Sequence, residues 1–575
     1  MATRTQALRV ARDHPGYKWV ALSNTTLGVV MATINSSIVI ISLPAIFRGI
    51  GLNPLTPGNV SYLLWTLMGF LVVTAVLVVT LGRLGDMYGR VRIYNMGFVV
   101  FTIGSIALAF DPMRGGGGAM WIILWRLVQG VGAAMLFANS TAILTDAFPA
   151  ERRGFALGLN QVAAIAGGFI GLILGGFLSE VDWRLVFFVS VPFGIAGTIW
   201  SYLSLHELSE RQPAKIDWLG NVLFAVGVSG LLAAITYGIQ PYGGHSMGWT
   251  NPWVLFGMIG GVVLIVAFAI IETRVAQPMF EMSLFRIRAF WAGNLAGLLA
   301  SIARGGLQFM LIIWLQGIWL PLHGYAYQDT PLWAGIYLLP LTVAFLVAGP
   351  LSGMLSDRFG ARAFATGGLL IVALSFLGLM LLPVDFNYWA FAALLVLNGI
   401  GSGLFSAPNT TAIMNSVPSN QRGSASGMRA TFFNSGTSLS IGIFFSLMIA
   451  GLASTLPSAL HSGLTSHHVP DVAATGIANQ PPVGSLFSAF LGYNPIQNLV
   501  GDKTLATLSA GDRSTLTGRE FFPNLISQPF HHGLVIVFAL AIAMSVVGAL
   551  ASLFRGAKYV HVDAPAAKPR DKALV

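Results

Sequence analysis

The chain has no cysteine among its 575 residues, which excludes disulfides, thiolate nucleophiles and cysteine-based metal sites. Charge is almost as scarce. Asp, Glu, Lys and Arg make up 9% of the sequence, against 55% hydrophobic residues, and the mean hydropathy is +0.74. A water-soluble domain has about a quarter of its residues charged, so this composition excludes one. Carboxylates are missing where they would matter most. All 21 acidic residues fall between the long apolar runs or at their ends, with Asp146, Glu180, Asp217 and Glu272 the nearest to the interior. No Asp-x-Asp or His-x4-Asp arrangement occurs, which argues against a polytopic acyl- or glycosyltransferase. The net charge is +10, but the basic residues are scattered at the ends of apolar runs and form no patch for nucleic acid.

What the chain has is apolar runs long enough to cross a bilayer, which takes about 20 residues each. The first, Trp19–Phe47, follows Arg4, Arg9, Arg12 and Lys18 and is too long for a signal-peptide core, so it reads as a retained span. Further spans are expected near 60–82, 93–110, 117–142, 154–179 and 185–205. The uncharged stretch Trp218–Ile271 holds two around a Gly-rich break, and six more lie near 289–318, 331–355, 363–383, 387–413, 425–451 and 532–554. The reading is an all-α integral membrane protein with fourteen transmembrane helices arranged 6 + 2 + 6. Residues 1–18 form an N-tail, 19–205 a six-helix bundle, 218–271 two inserted linker helices, 289–554 a second six-helix bundle, and 555–575 a C-tail.

Charge tests that count. Assigning alternate loops to the cytoplasm leaves 22 of the 31 Lys and Arg inside. Only Arg48, Arg114, Arg184, Lys503, Arg513 and Arg519 fall outside, and Arg126, Arg304 and Arg429 fall within spans. A bias this steep places both termini in the cytoplasm of a cell membrane, the bacterial inner or plasma membrane. The basic tail Lys558–Lys572 would then lie against anionic headgroups.

The sequence also repeats. Gly82-Arg83-Leu84-Gly85-Asp86-Met87-Tyr88-Gly89-Arg90-Val91-Arg92 is a charged island between two spans, read as a loop at the water boundary. It returns as Gly353-Met354-Leu355-Ser356-Asp357-Arg358-Phe359-Gly360-Ala361-Arg362. Both copies keep Gly, Leu two later, Asp four later and Gly seven later. Pro149, Arg153, Gly154, Ala156 and Gly158 likewise match Pro418, Arg422, Gly423, Ala425 and Gly427. Duplication with an inserted hairpin accounts for both offsets.

The island resembles the loop between spans 2 and 3 of the major facilitator superfamily, written G-x-L-a-D-r-x-G-r-k. The resemblance implies that Gly82, Asp86, Gly89 and Arg90, with Gly353, Asp357 and Gly360, form a cytoplasmic gate whose aspartates latch the two halves. Two further segments extend it. Arg126-Leu127-Val128-Gln129-Gly130 resembles the R-x-x-q-G pattern of span 4, whose Arg faces the central cavity and is tied to proton coupling. Gly158, Gly167, Gly171, Gly175 and Gly176 of span 5 match the glycine ladder of proton-driven exporters, implying helix packing against a partner from the other bundle. Leu172 stands where that pattern has Pro. Together they place the chain near the fourteen-span drug:proton antiporters of the EmrB/QacA type.

One departure matters most. In span 1, Ile34-Asn35-Ser36-Ser37 stands where the family has an acid, so the usual proton carrier is an amide that cannot titrate. Asn35 alone reads as a hydrogen-bonding link between helices. A cation buried in a membrane costs about 2.5–3.5 kcal/mol on insertion scales, so Arg126 and Arg304 should each have a role. Arg429 sits about one turn into its span, where snorkelling to the surface is the expectation. Fixed cations without balancing carboxylates should favour anionic ligands, which guanidinium can grip bidentately. Asn35, Arg126, Gln129, Arg304 and Arg429 are therefore the candidate cavity or coupling residues.

The expected function is export of amphipathic drugs or lipid-like compounds by alternating access. It would be driven by proton antiport and show a preference for anionic substrates. The alternatives are a weakly coupled facilitator or flippase, and a transport-dead sensor, against which the retained Arg126 speaks. No cofactor is expected, the proton gradient being the energy source. The expected partners are a small amphipathic substrate and the lipid bilayer, with no nucleic acid, and the chain is expected to act as a monomer. Residues 452–531 read as a long outer loop capping the mouth, and His461, His467 and His468 as solvated loop histidines rather than metal ligands.

Overall fold

The computed structural model describes residues 14, 16–53, 58–149, 152–208, 217–245, 247–275, 278–418, 421–491 and 494–556. The expectations for most of both tails, including Lys558–Lys572, lie outside them. Among the described residues, fourteen helices are long and apolar enough to cross a membrane. The first six are α1 Tyr17–Ile50, α2 Asn59–Tyr88, α3 Arg90–Ala109, α4 Gly115–Ala147, α5 Arg153–Val181 and α6 Leu185–Ser204. A hairpin follows, α7 Trp218–Gly238 and α8 Pro252–Glu272. The last six are α9 Arg288–Leu322, α10 Thr330–Tyr337 continuing as Leu339–Phe359, α11 Ala361–Leu381, α12 Tyr388–Asn415, α13 Arg422–Thr465 and α14 Phe521–Leu553.

The packing repeats as the sequence does. In the first half α1 packs on α5, α2 on α4, α3 on α4 and α3 on α6. Adding eight to each number gives the second half: α9 on α13, α10 on α12, α11 on α12 and α11 on α14. The halves meet through α2 with α13 and α5 with α10, again a symmetric pair. The α7–α8 hairpin rests on α2 and α13, and α8 is mostly exposed, with Phe256, Ile259 and Val263 directed outward as a lipid-facing helix requires.

Two expectations about loops change. The charged island is helical: α2 runs on to Tyr88, α3 starts at Arg90, and only Gly89 breaks the helix, at φ 110°. Its copy does the same at Gly360, φ 90°. A side chain at such φ is strained, so each glycine allows the sharp reversal between adjacent spans. Residues 452–531 are also not an extended loop. α13 continues to Thr465, and short helices at Asp471–Ala478, Pro482–Phe490, Ile496–Val500, Asp502–Thr507 and Ala510–Leu516 form a folded cap. Leu486, Phe487, Ile496 and Leu516 of the cap are fully buried. We refer to the end carrying this cap as the cap face, and to the end where α1 starts and α14 stops as the tail face.

Candidate functional site

At the cap face the halves are sealed. A Cβ added at Gly176 of α5 would lie 2.6 Å from Cα of Leu332 on α10, and one at Gly335 would lie 3.2 Å from the Leu172 carbonyl. Gln316 Nε2 donates to the Ile41 carbonyl at 3.4 Å, and Arg48 donates to the Leu491 carbonyl of the cap at 3.4 Å. Toward the tail face the approach is looser, with a Cβ at Gly427 lying 3.8 Å from Val79 and one at Gly349 lying 3.5 Å from Val162. Between these ends the halves enclose three adjoining cavities that share Gln161 of α5 and Phe433 of α13. The largest holds about 130 Å³ and its neighbours about 100 and 70 Å³, each below the roughly 300–1,000 Å³ of a small-molecule site, so a drug-sized ligand has to draw on all three.

The glycine ladder works mostly within one half. A Cβ at Gly167, Gly171 or Gly175 would strike the α1 backbone at Val30, Ile34 and Ile38, at 3.0, 2.5 and 2.7 Å from the carbonyl oxygens. The four-residue spacing on α5 thus meets the same spacing on α1. Of the ladder, only Gly176 abuts the other half at the seal; Gly158 has no neighbour within 4 Å of its Cβ position. The resemblance implied a partner from the other bundle for the whole ladder, and the geometry assigns most of it to α1.

Arg126 of α4 is fully buried and fully engaged. Its Nη1 donates to Asn35 Oδ1 at 2.5 Å, to the Asn35 carbonyl at 3.3 Å and to Gln129 Oε1 at 2.9 Å, and its Nε donates to the Thr66 carbonyl at 3.4 Å. The guanidinium lies 4.4 Å from the Phe70 ring centre. Gln129 Nε2 passes the network to Ser105 Oγ at 2.8 Å, and Asn35 Nδ2 to Ser190 Oγ at 3.2 Å. Neutral acceptors hold the cation. Asn35 therefore ties α1 to α4 and α6 and fixes the Arg126 orientation.

Arg304 and Arg429 are held differently. Arg304, deep in α9, stacks over Phe433 at 5.0 Å and makes no hydrogen bond or ion pair among the described residues. Arg429 of α13 does not snorkel. Its Nη2 donates to Gln161 Oε1 across the two halves at 3.2 Å, while its buried Nε has no acceptor. α13 begins at Arg422 on the tail face, and the side of the helix bearing Arg429 faces α5, so turning inward brings it to the Gln161 amide. Both arginines line the cavities, with Asn434, Asn294, Asn409 and Asn398 as further polar walls. Among the described residues no acidic one lines any of the three. Gln161, Asn409 and Asn434 were not singled out by the sequence, because a lone amide in an apolar run carries no pattern.

At the tail face Arg90 joins Asp86 at 2.8 Å and Asp146 at 2.6 Å, clamping α2, α3 and α4 together. Gly89 gives the close approach, whereas Gly82 has room for a Cβ at ordinary contact. A Cβ at Gly82 would lie 3.5 Å from Ala138, and one at Gly89 would lie 2.5 Å from Glu207. The second copy is unequal: Ala361 follows Gly360 where Arg90 follows Gly89. Gly353 sits 3.7 Å from Ala407 by the same measure. Asp357 lies on the last turn of α10.

In the cap, His461 meets Asp471 at 2.9 Å, and Asp512 receives His467 at 3.3 Å and His468 at 3.2 Å. The Ser509 hydroxyl first, and then the two histidines, hold the Asp512 carboxyl below the usual aspartate range. These pairings span up to 45 residues of sequence and tie α13 to the short helices.

Residues 25–441 match the family model described as Major Facilitator Superfamily. A tetracenomycin C resistance and export protein of Streptomyces glaucescens is 26% identical over 541 residues, covering 94% of this chain and 92% of that one. The riboflavin transporter RibZ of Clostridioides difficile is 27% identical over 437 residues, 76% of this chain and 89% of the relative. The multidrug resistance protein Stp of Mycobacterium tuberculosis is 29% identical over 441 residues, covering 76% of this chain and 77% of its own. Among solved structures, a bacterial homologue of the human lysosomal transporter Spinster, inward-facing and unoccupied, aligns with a TM-score of 0.55 at 16% identity. It covers 96% of this chain and 100% of that one, a likeness of fold.

Proposed function

We propose, for a chain that belongs to the Major Facilitator Superfamily, a family of transporters rather than enzymes, that it exports small amphipathic compounds carrying an anionic group. The observation that carries this is Arg304. Deep in α9 it faces the cavities with no hydrogen-bonding partner among the described residues, Arg429 lines the same space, and no carboxylate among the described residues lines it. A buried guanidinium left without a counter-charge is the costly half of an ion pair, and an incoming carboxylate, phosphate or sulfate would complete it. The phenylalanines around it would take the apolar part of the ligand. Relatives named for tetracenomycin C export and multidrug resistance support export as the direction.

The halves then rock about the cavities, the cap-face seal opening as the looser approach of α2 to α13 and α5 to α10 at the tail face closes. The arrangement with a sealed cap face and looser tail face would be the inward-open one, the charge bias putting the tail face in the cytoplasm. The chain would work as a monomer, with a proton gradient as its energy source and no cofactor.

Arg304→Ala should abolish uptake of carboxyfluorescein into inverted vesicles, and Arg304→Lys should retain part of it. Unchanged transport by the alanine variant refutes the assignment. A second reading, a facilitator or flippase without tight proton coupling, is favoured by one observation: Asn35 occupies the place of an acid and is bonded to Arg126. Efflux that persists at full rate after the pH gradient is collapsed would select it.

A further inference from the structure

The inserted hairpin brings two carboxyl groups together at the tail face. Asp217 caps α7, its Oδ1 accepting from the Gly220 amide at 2.9 Å, and Glu272 ends α8, its Oε2 accepting from the Phe280 amide at 3.0 Å. Glu272 is 2% exposed. The remaining oxygens, Asp217 Oδ2 and Glu272 Oε1, are buried and neither finds a hydrogen-bond donor. They converge on one point: a Cβ added at Gly220 would lie 2.3 Å from the first and 2.8 Å from the second. No cation forms an ion pair with either carboxyl among the described residues. Of the charged groups on elements packed here, Arg83 of α2 donates to the Pro278 carbonyl, while Arg274 and Glu281 belong to the segment joining α8 to α9. Lys215 lies outside the described residues. Two adjacent buried carboxylates without a cation repel strongly, whereas one shared hydrogen would satisfy both orphaned oxygens at once.

The surroundings connect this pair to both the clamp and the cavity. Asn221, one residue beyond Gly220, bonds Thr80 of α2 through its side-chain oxygen and the Asp217 carbonyl through its nitrogen. Arg83 holds Pro278, two residues before the amide that Glu272 binds. The Phe280 ring packs on Phe224 at 5.6 Å and Phe268 at 5.4 Å within the hairpin, and on Phe432 of α13 at 6.3 Å. Phe432 is a wall of the cavity, next to the Phe433 that lies under Arg304.

We propose that Asp217 and Glu272 form a proton-binding site of the inserted hairpin, one proton held between two carboxyl groups, and that its occupancy sets segment 278–285 against α2 and α13. With the proton bound, the pair is a neutral clasp: Phe280 stays docked and the contacts of Thr80 and Arg83 persist. With the proton released to bulk water, two carboxylates face each other, the hairpin end parts from α2, and Phe432 loses its backing. The site supplies a titratable group to a transporter whose α1 carries Asn35 in place of one. It deepens the proton-coupling reading, but its test needs no transported compound, so failure of one is distinguishable from failure of the other.

The test uses the purified full chain in lipid nanodiscs. Infrared difference spectroscopy at neutral pH should reveal a protonated carboxyl C=O band that disappears in both Glu272→Gln and Asp217→Asn, since removing either partner frees the other to ionise. The same band should survive in Asp86→Asn and Asp146→Asn. Because the chain has no cysteine, Tyr88→Cys and Ile270→Cys, both half-exposed positions, give a unique spin-label pair across α2 and α8. Their separation should lengthen between about pH 5 and about pH 9 in the otherwise native chain and stay short throughout in Glu272→Gln, whose amide mimics the protonated acid. A carboxyl band that is absent at neutral pH or that persists in both variants overturns the proposal, as does a label separation indifferent to pH.

Discussion

Both halves of this molecule bury arginine in the membrane, and they treat it in opposite ways. In the first half Arg126 is enclosed by Asn35, Gln129 and the Thr66 carbonyl, with the Phe70 ring beside it. In the second half, among the described residues, Arg304 has the Phe433 ring and no hydrogen bond, and Arg429 has one amide from the opposite half and a buried Nε without acceptor. The first cation is a brace that helps set the distances between α1, α2 and α4. The others are available. Duplicated bundles thus divide their labour: one supplies rigidity around a cation held by neutral acceptors, and the other leaves charge facing the space between them.

The largest effect expected from breaking this contrast is on Arg126. Arg126→Ala should lower the stability of the purified protein by about 3–5 kcal/mol, because it opens a cavity and orphans two buried amide oxygens. Arg304→Ala, seen in the same thermal unfolding measurement, should cost less than about 1 kcal/mol, since it removes no protein hydrogen bond and relieves an unbalanced charge. Equal losses would erase the distinction between the two halves. Next in size is Asn35→Asp. Its carboxylate would face the guanidinium that Asn35 now meets at 2.5 Å, and the resulting charge-assisted pair should raise stability by about 1–2 kcal/mol. An unchanged midpoint would mean that the brace is already saturated by neutral acceptors.

Smaller effects belong to the faces. Asp146→Asn should cost about 0.5–1 kcal/mol, the modest value of a partly solvated ion pair, while slowing transport of carboxyfluorescein more than Asp357→Asn does, because only the first copy has an Arg90 to clamp. Equal slowing by both would make the two faces of the duplication equivalent. The smallest change should come from acidifying the cap. Asp512 is held below its usual range in the folded chain, so its contribution is complete above the ordinary aspartate value of about 3.9 and is lost as pH falls through the lower folded value. Amide hydrogen exchange across Asp471–Leu516 should therefore quicken in acid, and in Asp512→Asn it should be fast at every pH.

Much of this was readable in the residues. Fourteen spans follow from apolar length, and the duplication follows from two glycine–aspartate islands, because both signals are local. What sequence missed depends on contacts made far along the chain. Arg429 reads as a snorkelling residue until Gln161, on a helix of the other half, is seen to receive it. The histidines at 461, 467 and 468 are largely solvated as read, and what sequence did not show is that Asp471 and Asp512 fold back to meet them. Residues 452–531 read as loop because they are rich in Ser, Gly and Pro as well as Leu, yet burial of Leu486, Phe487 and Leu516 organises them. The charged islands read as loops because charge marks the water boundary, while a single glycine suffices to turn the backbone there.

One dimension has a mechanical consequence. α13 runs for 44 residues without interruption, from the end bearing Arg422 to Thr465 within the cap. At 1.5 Å per residue it is about 66 Å long, roughly twice the hydrocarbon thickness it crosses. Such a rod is a lever: tilting it by about 10° displaces its far tip by about 11 Å. The helix that carries Arg429 also carries the cap, so any tilt that moves this wall of the cavities moves the cap with it on a single shaft.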